Sequence, residues 1–255
     1  MLRPTTILSL FFLLLTVVFL TRCSEDQVIE MESLERDLLL TWIALEREDA
    51  PRVTAYNTAV QQDWLLLQRH FDSKQVSPAL RQSAMRVNVW MLKLRNAVDY
   101  QQAKRATVAI NLIQNELRRL RPQYGMNHPA DRLYDFYYQW QDVVAASNDP
   151  MIELLEWKEF EKCYELAVRS WAACVAAQPR FSNTLFPGYG QNAGGTEAAA
   201  LTITRSLEYF TTILGGADHT LAAEPSQKIN ALFFDYLAVV TAYPSQAAVA
   251  GEIVQ

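Results

Sequence analysis

Residues 150–177 read PMIELLEWKEFEKCYELAVRSWAACVAA. Trp157, Phe160, Tyr164, Val168, Trp171 and Val175 recur every three or four positions, which gathers all six on one face of an α-helix. A second stripe runs beside it and is small: Cys163, Ala167, Ser170, Cys174 and Ala177. Small side chains let a neighbouring helix approach closely, so this pattern predicts a tight helical core. Asp149-Pro150 marks the start, because proline's missing N–H costs nothing in a first helical turn.

The same period extends in both directions. Upstream it predicts helices over about 28–47 (Met31, Leu34, Leu38, Trp42, Leu45 as one stripe), 51–71, 77–98, 100–121 and one opened by His128-Pro129. Ser77-Pro78 reads as an N-cap followed by proline at the first helical position. Arg118, Arg119 and Arg121 complement the negative end of the fourth helix's dipole. Downstream, helices are expected over about 197–214 and 225–242. No segment alternates as a half-buried strand does. The expected fold is all-α, about eight helices in four antiparallel hairpins, packed as a helical bundle or a short solenoid. It forms one domain over 23–255, or two halves over 28–122 and 129–242.

A weak repeat supports the hairpins. Trp42, Trp90 and Trp140 lie 48 and 50 residues apart, each followed by an aspartate: Asp49, Asp99 and Asp149. Tyr209 and Asp218 extend the series. The expectation is an aromatic closing each hairpin and an aspartate capping the next helix.

The N-terminus differs in kind. Arg3 precedes an apolar run from Ile7 to Leu20, and Arg22-Cys23-Ser24-Glu25-Asp26 follows. A basic start, an apolar stretch and a cleavage region describe a secretory signal over 1–22. The Cys after the apolar run resembles the lipobox of bacterial lipoproteins, which implies acylation of Cys23 and attachment to a membrane of the cell envelope, on the outer membrane or facing the periplasm in a Gram-negative cell. Arg22 stands where the lipobox carries a small residue, and an uncleaved anchor helix over Thr5–Thr21 or ordinary cleavage are the alternatives. The charge distribution around the run places the body outside the cytoplasm in the anchored cases. Twenty-eight aromatic residues make disorder a poor description of the chain, and a net charge of −5 offers no general attraction to nucleic acid or anionic headgroups.

Chemistry-bearing patterns are few. His70, His128 and His219 sit at predicted helix ends as caps or surface residues, and no haem, zinc, di-iron or nucleophile motif is present. Neither a catalytic set, a metal site nor a cofactor is expected. Glu153, Glu156, Glu159, Glu161 and Glu165, interleaved with Lys158 and Lys162, read as a solvated face. Cys163 and Cys174 lie eleven apart on one helix, about 16 Å by its rise, too far to bridge, and are expected as buried thiols. The clearest interruption is Pro179 to Thr196, which holds four of the eight glycines. A long aromatic, glycine-rich loop is where binding is expected, through Arg180, Phe181, Phe186 and Tyr189; the opposing expectation is an insertion whose aromatics fill the core. These features point to a non-enzymatic interaction or assembly protein with a protein partner, with a small-ligand binder lined by aromatics as the alternative.

Overall fold

The structure, a computed structural model, describes residues 30–71, 76–124, 128, 130–149, 157–216 and 219–244. The apolar N-terminal run, Cys23, Glu153 and Glu156 lie outside them. The described helices are α1 (30–46), α2 (Ala50–Phe71), α3 (Pro78–Asp99), α4 (Ala103–Leu120), α5 (Asp131–Ser147), α6 (Trp157–Ala177), α7 (Gly188–Gln191), α8 (Ala193–Gly215) and α9 (Ala223–Val240). Among the described residues there is no strand, and the protein is an all-α bundle.

Three helices form a layer. The Gln61 amide donates to the Met91 carbonyl at 3.1 Å and the Trp64 indole donates to Asn88, joining α2 to α3. Arg86 and Glu116, 3.0 Å apart, join α3 to α4. On the other side, α6 lies against α5 through its small stripe, where the Ser170 hydroxyl donates to Gln139 at 2.6 Å. Its bulky stripe faces α8: the Tyr164 hydroxyl donates to the Leu207 carbonyl and the Trp171 indole to Thr204. The Trp140 indole donates to the Ser226 carbonyl and ties α5 to α9. The expectation of two stripes with a close neighbour thus holds for physical reasons.

α1 departs from its expected single stripe. Every residue from Leu38 to Ala44 is buried, because other helices cover this one on all sides. Trp42 meets Tyr137 and Phe234 edge-on, at ring separations of 4.5 and 5.1 Å. The single buried polar side chain of that run, Thr41, returns its hydroxyl to the Asp37 carbonyl. One continuous hydrophobic core therefore runs through residues of both sequence halves.

Caps are more varied than the sequence indicated. Ser77 accepts from the Leu80 N–H, as expected beside Pro78. Asp49 accepts from the Arg52 N–H and begins α2, whereas Asp99 is the last residue of α3 and caps nothing after it. Trp42 and Trp140 are core residues, but Trp90 is half-buried and Tyr209 exposed. Among the described residues the aromatic–aspartate spacing is consequently no structural repeat; Asp218 and the residues that immediately follow Asp149 lie outside them. Three helices end on a left-handed residue that is not glycine. Glu48, Gln101 and Ala242 take φ of 55°, 54° and 53°, and the next residue donates back to Ala44, Ala97 and Ala238 respectively.

Candidate functional site

The segment singled out as a loop is largely helical. Gln178–Arg180 forms a single 3₁₀ turn, Gly188–Gln191 is α7, and α8 begins at Ala193 rather than near 197. Asn192 makes this possible by accepting the Gly195 N–H, which caps α8. Gly188 makes it compact: a Cβ there would run into the Val239 carbonyl oxygen and lie 2.8 Å from that of Val240. Only a glycine lets α7 rest on the end of α9. Ser182 pins the near end, donating to Glu32 of α1 at 2.7 Å.

Phe181, Phe186 and Tyr189 pack on one another, with ring centroids 5.0 to 6.3 Å apart. Phe186 is wholly buried, so it belongs to the core and is corrected as a binding residue. Tyr189 shares a hydrogen bond with the Tyr236 hydroxyl of α9, and Tyr236 also accepts from Gln178 at 3.0 Å. Burial pushes both phenols up, so they stay protonated at any ordinary pH. Phe181 and Tyr189 nevertheless keep one side on a surface groove of about 660 Å³. Its walls are completed by Val175 and Gln178 at the end of α6, and Glu197 and Leu201 on α8. Arg180 is exposed and stands outside that wall. The structure thus joins two of the four expected residues to a groove, and separates the other two from it.

A second constellation escaped the sequence. Glu35 of α1 is fully buried, with Arg121 Nη2 at 2.8 Å from one oxygen and His128 Nε2 at 2.7 Å from the other. Arg121, 1% exposed, also contacts Asp131, and Arg118 reaches Asp131 and Asp135 on α5. Burial by itself raises the Glu35 carboxyl, but Arg121 and then His128 outweigh it and hold it at about 2. Burial raises the Asp131 carboxyl and, far more, the Tyr134 phenol beside Glu35. The Glu35 and Tyr134 shifts both carry their groups away from neutrality, and Glu35 and Arg121 have no surface for a substrate to touch. What the arrangement does is clasp α1, the turn after α4 and the start of α5. Two readings are corrected by it. Arg118 and Arg121 are engaged by carboxylates rather than serving the helix end alone, and His128 is a buried-cluster member rather than a surface cap. The visible signal was three arginines within four residues, more positive charge than one helix end uses.

The remaining candidates are simpler. His70 pairs with Glu30 at 2.8 Å. Glu159 and Glu165 pair with Lys162 and Arg169 at 3.5 and 3.6 Å on an exposed face, as expected of a solvated stripe. Cys174 is buried but Cys163 is partly exposed, against the expectation of two buried thiols; both are free. Among the described residues no three His, Cys, Asp or Glu side chains converge on a point that could hold a metal ion, and no helix is long and apolar enough to cross a membrane. Comparison with known families, curated proteins and solved structures returns no match.

Proposed function

We propose that this chain is a membrane-tethered extracytoplasmic protein that acts by binding a protein partner, without catalysis of its own. The observation that carries the binding role is the groove along α6 and α8. It is walled by Phe181 and Tyr189, and flanked by Val175 and Leu201, two large apolar side chains left exposed on its rim. Aromatic anchors in a concave, partly apolar surface are the residue types that dominate protein interfaces. The glycine at 188 lets this wall rest directly on the end of α9, so the groove is built into the fold, which lowers the ordering cost of binding. Tethering rests on the N-terminal run and Cys23.

The small-ligand alternative draws less support. The aromatics that prompted it stack on one another: Phe136 packs on Trp140, Trp171 and Phe233, and Trp140 on Phe210. They fill space rather than line it.

Replacing residues 182–194 wholesale would expose core, because Leu185 and Phe186 lie in it. Val175→Asp and Leu201→Asp change the rim alone. Affinity purification from the native membrane should retain the partner with wild type and lose it with the double variant, while circular dichroism stays unchanged. A folded double variant that keeps every partner refutes the groove. Fatty-acid analogue labelling should mark wild type and spare Cys23→Ser; an unlabelled, membrane-bound wild type replaces the lipid with an anchor helix.

A further inference from the structure

The net charge of −5 averages over a segregated distribution. Between residues 77 and 121 the sequence carries nine Lys/Arg and two Asp/Glu, leaving fourteen against twenty-six in the remainder. Tertiary structure sharpens this. Arg118 and Arg121 turn inward to carboxylates on α5 and α1, and one of the two acids, Glu116, is buried between Arg86 and Arg119. Arg81, Lys93, Arg95, Lys104 and Arg105 are left exposed on the α3–α4 hairpin.

The α2–α4 layer also carries most of the large apolar side chains left exposed among the described residues. Seven of the twelve large hydrophobic side chains exposed among the described residues fall between Leu65 and Val108. Met85, Val89 and Leu92 of α3, each about half exposed (55, 52 and 48%), follow one another at four- and three-residue steps. They form a straight crest roughly 10 Å long, opposite the buried face that runs through Val87, Met91 and Leu94. α3 is the middle helix of its layer, so the crest is central. Leu65 is exposed on α2, one residue after the Trp64 whose indole joins α2 to α3 through Asn88. On the other flank, a groove of about 700 Å³ separates α3 from α4, with Trp90, Tyr100 and Val108 in its wall and Lys93, Lys104 and Arg105 around them. The Lys93 ammonium lies 4.1 Å above the Trp90 ring.

We propose that the outer face of the α2–α4 layer docks on the surface of a membrane containing anionic lipid, the crest entering the headgroup boundary and the flanking cations meeting lipid phosphates. Charge complementarity selects an anionic surface, and the crest selects a lipid one. Apolar side chains amid Lys and Arg gain from burial among acyl chains, whereas a nucleic acid would use the cations and leave the crest in water. Tyr100, three-quarters exposed at the hairpin tip, suits the same boundary. This face is separate from the α6–α8 groove and does not depend on whether Cys23 is acylated.

The test uses the full chain with vesicles of phosphatidylcholine alone or mixed with phosphatidylglycerol, and reads lysine acetylation by peptide mass spectrometry. Lys93 and Lys104 should react about threefold or more slowly with the mixed vesicles, and high salt should restore them. Lys158 and Lys162, exposed on α6, serve as controls and should not change. Val89→Asn with Leu92→Gln, both at exposed positions, should weaken the protection without unfolding the chain. Equal rates in both vesicle types overturn the proposal, as does equal protection of all four lysines. Protection that survives loss of the crest residues overturns the apolar part of it. Protection of Lys93 and Lys104 by polyglutamate but not by vesicles overturns it in favour of an acidic protein partner.

Discussion

Glu35→Gln tests the buried clasp with almost no change in volume. Glu35 is wholly buried, and its carboxyl lies at about 2 in place of 4.5 because Arg121 and His128 overcome its burial. A displacement of that size corresponds to about 3 kcal/mol in favour of the ionised form. Removing one partner of a buried pair costs about 3–5 kcal/mol in general, so the two routes agree in order of magnitude. The variant should lose about 3 kcal/mol at pH 7 in urea unfolding followed by circular dichroism, with an unchanged m value. The pH dependence carries a sign. A carboxyl whose folded pKa is depressed contributes fully above its unfolded pKa near 4.5 and loses that contribution as pH falls towards 2. Wild type should therefore lose stability over that window, and the variant should show a flatter acid limb. Pairing the change with Arg121→Met in a double-mutant cycle separates their coupling from the cost of leaving a charge unpaired. A loss below about 1 kcal/mol at pH 7, or identical acid limbs, refutes the reasoning.

Gly188→Ala forces a methyl into the backbone of α9 and should cost about 2 kcal/mol or more, with new proteolytic nicking in the 178–196 segment; an unperturbed variant would mean α7 does not rest on α9. Asp49→Ala removes the cap of α2 and should cost about 1–2 kcal/mol in the same unfolding assay, while Asp99→Ala should cost less than about 0.5 kcal/mol. Gln101→Gly and Ala242→Gly each relieve a left-handed residue at a helix end and should raise stability by about 0.5–1 kcal/mol; a loss at both would contradict the positive φ. In native protein, alkylation should reach Cys163 well before Cys174, whose buried thiol is pushed up to about 12; equal rates would place both thiols in the same environment.

The sequence by itself determined the long helices and the sidedness of most of them, but not the short helical pieces between Gln178 and Gln191. A 3.6-residue period survives in any amphipathic segment, and α3, α4, α5, α6, α8 and α9 each have one buried and one wet face. Local signals also worked where their chemistry is local, as at Ser77-Pro78. Three things were decided only in three dimensions. The 38–44 stretch of α1 is buried all round, and periodicity carries no information about a stretch of helix with no wet face. Glu35, Arg121, His128 and Asp131 meet across three elements, and an ion pair between distant positions leaves no spacing in the chain to read. Phe181 and Tyr189 were legible as unusual, but whether an aromatic in an irregular segment fills the core or walls a groove depends on what packs beneath it. Here Gly188 and the end of α9 supplied that floor, sending Phe186 inward and leaving the other two at the surface.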